Sequence, residues 1–188
     1  MPQSTQRLLV LLRGINVGGH HSVPMADLRT LFAKLGCTQV ATYIQSGNVV
    51  CTAPASLTAP EIAFTLESRF GFPIPVALRT GEELAAIIAA NPFPASNADE
   101  ATGSNPSIDP LHAVFFETTP PPPILHMLEA KRTGGEQLAL HNRELYLHLP
   151  QGAGRSKLAL ACTAPTTPGN PTMRNWKTIL QLHTLLGA

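Results

Sequence analysis

Two glycine-rich, cation-bearing loops stand out in this 188-residue chain as places where main-chain N–H groups and basic side chains could meet an anion. The first is R-G-I-N-V-G-G, Arg13 to Gly19. There Gly14, Gly18 and Gly19 can take positive φ and turn successive N–H groups toward one point, Arg13 can offer a two-pronged fork, and Asn16 a neutral donor. The second is Gly152-Ala153-Gly154-Arg155-Ser156-Lys157. It is not a Walker A loop, because that motif needs Lys directly before the hydroxyl residue and Arg155 stands there instead. Read as opening a helix, the loop sets Arg155 and Lys157 where the helix dipole is positive, and Arg174 with Asn175, read in the first turn of the last helix, repeats the arrangement. One bound phosphate, carboxylate or sulfate would reconcile these cations. Ser46-Gly47-Asn48 adds the short donors Ser46 and Asn48 if it faces the first loop. Each motif also has an architectural reading: a tight crossover with Asn16 as a cap, salt bridges from the basic loop to acidic residues, and a plain hairpin turn.

Other chemistries have less to stand on. Adjacent His20 and His21 lack the i,i+4 spacing of a helical metal pair, and no carboxylate accompanies them, so no metal site is expected. No G-x-S-x-G, H-E-x-x-H or paired Cys/His pattern occurs, and His148, on the strand leading to Gly152, is merely the best placed candidate base. Cys37, Cys51 and Cys162 are odd in number and widely spaced, which argues against a disulfide framework and for a reducing cytoplasm. No run reaches the roughly 18 apolar residues of a membrane span, and the apolar stretch near Leu8–Leu12 is closed by Arg13 with no small-residue cleavage site, so neither membrane insertion nor secretion is expected. The net charge of +1 divides unevenly, as +3 over residues 1–60, −6 over 61–150 and +4 over 151–188. The basic ends carry the candidate loops. Aromatic residues are 5% of the chain, and the strands at Leu8–Arg13 and Asn48–Thr52 have none to stack bases. Phe115, Phe116 and Tyr146 are the partial exception.

The elements that must position these residues follow from local signals. Arg7–Arg13 reads as a buried strand, and a helix with Pro24 in its first turn places Met25, Leu28, Leu31, Phe32 and Leu35 on one stripe. Val40–Gln45 and Asn48–Thr52 read as a hairpin closed by Ser46-Gly47. Thr58 with Glu61, and Thr80 with Glu83, are capping boxes opening helices on either side of a strand at Ile74–Arg79, and the second helix stops at Asn91-Pro92. Strand, helix, strand, strand, helix, strand is a ferredoxin-like order. Residues 94–110, rich in Ser, Asn, Gly, Pro and Asp, read as a linker between a first half (1–93) and a second (111–188). In the second half the order partly recurs: strands at His112–Glu117, Glu136–His141 and Glu144–Leu149, a short helix after Pro120–Pro123, a helix from Ser156, and a final helix from Thr172 burying Trp176, Ile179, Leu180, His183 and Leu186. The expected class is α+β with two ferredoxin-like halves, the second degenerate and ending in helices.

Four stretches resemble a bacterial family known as domain of unknown function 1697: L-L-R-G-I-N-V-G-G at Leu11–Gly19 with V-P-M-A-D-L-R beyond it, T-Y-I-Q-S-G-N-V-V at Thr42–Val50, E-L-Y-L-H-L-P-Q-G-A-G-R-S-K-L at Glu144–Leu158, and T-M-R-N-W-K-T at Thr172–Thr178. The resemblance implies an α+β fold of ferredoxin-like character and no established activity, substrate or cofactor. His20-His21 and Lys177 depart from the usual pattern. The expectation from residues and resemblance together is a cofactor-free protein binding a small anionic, phosphate-bearing or nucleotide-like ligand in a cleft between the halves. A nucleic-acid module and a purely structural or protein-interaction module are the alternatives.

Overall fold

A computed structural model describes residues 4–93 and 109–187. The expected linker, 94–110, lies outside the described residues up to position 108. Two compact units emerge, Met1–Ala85 with Gln181–Ala188, and Ala86–Leu180.

In the first unit, β1 (Thr5–Leu12), α1 (Met25–Lys34), β2 (Thr38–Tyr43), β3 (Asn48–Pro54), α2 (Ala59–Phe70) and β4 (Val76–Thr80) follow the expected order, and α3 (Gly81–Ala89) starts at once after β4. All pairings are antiparallel and the sheet order is β2-β3-β1-β4, the ferredoxin-like order. Local chemistry sets the helix starts. Thr58 Oγ1 accepts from Glu61 N at 3.4 Å, and Thr80 and Glu83 cap each other, Thr80 N to Glu83 Oε2 at 2.8 Å and Glu83 N to Thr80 Oγ1 at 3.1 Å. Leu8, Val10, Leu12, Val49 and Cys51 turn one sheet face onto Leu28, Phe32, Ile62 and Leu66 of α1 and α2. Leu9, Leu11, Asn48, Val50 and Arg79, on the opposite face, are buried as well. Arg7 stands near the edge of that face, where Nε and Nη2 donate to the carbonyls of Leu186 and Leu185 at 3.1 and 2.8 Å.

The second unit repeats the plan with β5 (Leu111–Phe115), α4 (Pro122–Glu129), β6 (Gln137–His141), β7 (Glu144–His148), α5 (Lys157–Thr163) and β8 (Thr172–Asn175), in sheet order β6-β7-β5-β8. It is reduced in the length of its elements, with a seven-residue α5 and a four-residue β8, rather than in their number. Here the structure corrects the expectation of a helix from Thr172: that segment is β8, paired with β5, and α6 spans Trp176–Leu186. The phase of α6 buries Trp176, Ile179, Leu182 and Leu186, leaving Leu180 43% exposed where burial was expected. The registers of the two sheets coincide. Leu9 lies between Val50 and Arg79 as Ala113 lies between Tyr146 and Arg174, and two residues on Leu11 faces Asn48 as Phe115 faces Glu144. The residue-level repeat that the sequence hides is therefore present in the pairing.

Burial also sets the alkaline limit of the fold. The thiols of Cys51 and Cys162 and the Tyr146 hydroxyl, which donates to Ile87 O at 2.8 Å, are all pushed up to about 12, chiefly by desolvation. Unfolded thiols lose their proton near 9 while the folded ones keep it to about 12, so across that window the folded state holds more protons and stability falls as pH rises. Denaturant melts through this range are expected to show that decline, and Cys51→Ala or Cys162→Ala to flatten it.

Candidate functional site

The first loop leaves β1 at Arg13, whose N–H donates to Pro75 O at 3.0 Å and whose guanidinium, half-buried, has its pKa lowered by desolvation. Asn16 sits in the left-handed region at φ 55° and spends its whole carboxamide on the chain. Nδ2 donates to Val23 O at 3.1 Å and Gln45 O at 3.0 Å, and Oδ1 accepts from Val23 N at 2.8 Å. A tight turn, His20 N to Val17 O at 3.1 Å, is made through Gly18 and Gly19 at φ 61° and 77°; these two and Gly14 face open space. His21 stacks on Phe72 with ring centroids 4.3 Å apart.

The neighbouring hairpin is built differently from the two-residue turn expected. Tyr43 pairs with Asn48, so Ile44 to Gly47 form a four-residue connection, with β-branched Ile44 at φ 49°. Leu12 N donates to Gly47 O at 2.8 Å, which brings this turn against the first loop. Asn48 is fully buried, its Nδ2 donating to Tyr43 O at 3.1 Å and Ser46 Oγ at 2.9 Å. Thus Gly14–Gly19 and Ser46–Asn48 do meet, but their two Asn side chains hold backbone.

In the second unit, β7 gives way to a bend at Gly152 (φ 76°), a single 3₁₀ turn over Ala153–Arg155, and α5. Ser156 caps α5, its Oγ accepting from Ala159 N at 3.0 Å, and is buried. Arg155 and Lys157 are exposed, and Gly154 faces open space. Two concavities adjoin the loop. One, of about 240 Å³, is lined by Thr133, Gly134, Glu136, Gly152 and Arg155 among others, and its carboxylate, holding Thr133 N at 2.9 Å, works against an anion. The other, of about 340 Å³, is lined by Gly154, Arg155, Lys157, Leu160, Thr163 and Met173 together with Ala153, Ser156 and Ala159, and contains no carboxylate.

Arg174 does not join these cations. It lies in β8, not in a helix, and because Met173 packs into the core under α4 and α5, Arg174 occupies the opposite face of the sheet. It is buried, Nη1 donates to Thr172 Oγ1 at 2.7 Å and Met173 O at 2.8 Å, and desolvation lowers its pKa to about 10. Asn175 caps α6, its Oδ1 accepting from Thr178 N at 2.8 Å, which is why the helix starts after Arg174. With α5 only seven residues long and Arg174 in a strand, the argument from cations at two helix starts does not survive. Phe115, Phe116 and Tyr146 are at most 1% exposed, so none can stack a base. His148 is half-buried with its ring 6.1 Å from that of Phe93.

Two ferredoxin-like halves bearing glycine-rich loops beyond β1 and β7 define an α+β protein with candidate anion loops and no recognisable catalytic group among the described residues. The chain belongs to the family described as protein of unknown function DUF1697, which matches residues 5–146. It is similar to the solved structure of the conserved bacterial protein SP0830 from Streptococcus pneumoniae, with a TM-score of 0.74 and 22% identity over 97% of this chain and 99% of that one. At that identity the likeness speaks for the fold. No curated protein matches. Among the described residues no helix is long and apolar enough to cross a membrane.

Proposed function

We propose that this protein binds a small anionic, phosphate-bearing ligand, with Arg155 and Lys157 as the charged contacts. The observation that carries the reading is the concavity of about 340 Å³ beside α5, whose lining holds two exposed cations and no acid. In the first unit, Arg13 with the open backbone of Gly14, Gly18 and Gly19 offers the same chemistry. Inorganic phosphate, a sugar phosphate and a nucleotide are expected to raise the melting temperature, the added stability being about 2.7 kcal/mol at a hundredfold excess over Kd. Arg155→Ala/Lys157→Ala is expected to abolish the shift, and Arg13→Ala to leave it if the first loop is idle. If no anion shifts the wild-type melt, or if the double variant responds as the wild type does, the reading fails. The architectural alternative then stands, supported by the commitment of Asn16, Asn48, Ser156, Arg174 and Asn175 to internal hydrogen bonds.

A further inference from the structure

We propose that β6 is a self-association edge, on which a second copy of the chain pairs its own β6 antiparallel about a two-fold axis through Ala139. A sheet edge that presents unpaired N–H and C=O groups recruits another strand unless something blunts it. The other outer strands are blunted or covered. β2 carries a register irregularity between Thr38 and Ala41, with Gln39 at φ 50° and its side-chain oxygen taken by Arg7 and Thr52. β4 and β8 are largely buried, Ala77 and Arg79 being 3% and 1% exposed and Thr172 and Arg174 5% and 8%. β6 has none of these devices. Its five residues, Gln-Leu-Ala-Leu-His, include no charge and no Pro, pair with β7 in unbroken register from Gln137↔His148 to His141↔Glu144, and end in exposed side chains.

The two-residue turn Asn142-Arg143 makes His141 and Glu144 the closing hydrogen-bonded pair. Gln137, Ala139 and His141 therefore spend their backbone groups on β7, while those of Leu138 and Leu140 point outward. The outward set is self-complementary. With the axis at Ala139, Leu138 meets Leu140 of the second copy and Leu140 meets its Leu138, giving four main-chain hydrogen bonds. Ala139 then faces its own copy at the close non-bonded position, about 4.5 Å between Cα atoms, where two methyl groups fit. Gln137 faces His141 at both ends. Two strands of five residues bury less than the roughly 1,200 Å² of stable complexes, so the dimer is weak and concentration-dependent.

Sedimentation of the full chain into the high-micromolar range tests this. The weight-average mass of the wild type is expected to rise with concentration toward twice the monomer. Gln137→Lys/His141→Lys sets like charges opposite each other at both ends of the pairing, and Gln137→Glu/His141→Lys sets unlike charges there. Both positions are exposed, so neither double variant is expected to change the thermal melt. The unlike pair is expected to dimerise roughly tenfold more tightly than the like pair. A wild type that stays monomeric throughout, or a dimer equally tight in both variants, overturns the proposal.

Discussion

Replacing Gly47 with Ala lowers folding stability by about 2–4 kcal/mol, measured by urea unfolding. Two effects add. Gly47 sits at φ 78°, where a side chain is strained, and a Cβ built there would lie 2.8 Å from Leu12 Cβ and 3.2 Å from Ile15 side-chain atoms. Leu12 and Ile15 are 1% and 2% exposed core residues, so neither can swing away. Gly18→Ala is the control. Its φ of 61° carries the same conformational penalty, but nothing lies within 4 Å of the added atom, and a loss of only about 1 kcal/mol is expected. Equal losses at the two positions would show that the packing of the turn against β1 contributes nothing.

Asn16→Ala is expected to cost about 3 kcal/mol, because three hydrogen bonds to the chain go at once and Val23 N is left without its acceptor. Asn16→Asp keeps that acceptor yet turns a second oxygen toward the carbonyls of Val23 and Gln45, and is expected to be at least as damaging. The effect belongs in the melting curve. A variant that keeps wild-type stability but loses anion response would make Asn16 a ligand donor and not a brace.

Much of the fold was legible because its signals are local. The two capping boxes, the Pro24 helix start and the β-branched runs of β2 and β3 each act within a few residues, and the structure keeps them. What local signals do not reveal depends on distant partners. Thr172–Asn175 is too short to show an alternation, and it is a strand because β5, some sixty residues earlier, supplies its ladder. One local sign was available: Asn175 three residues before Thr178 is an N-cap pattern, and reading it so would have kept Arg174 out of the helix. The site was harder. Glycine, Asn and Ser in a loop suit an anion and a backbone brace equally well. Only the partners of Asn16, Asn48 and Ser156 separate the two roles, and those partners lie up to 29 residues away.

The grip of Arg7 on the carbonyls of Leu185 and Leu186 carries a consequence for biosynthesis. The first unit includes Gln181–Ala188, yet Ala86–Leu180 make the second unit. A ribosome must therefore translate all of the second unit before it delivers the segment that completes the first. The opening ferredoxin-like half emerges with Nη1 of Arg7 met by Gln39 and Thr52 but with Nε and Nη2 still lacking their carbonyls while its neighbour is made. On this chain order, the contact between Arg7 and the end of α6 is the last of the first unit's contacts to form.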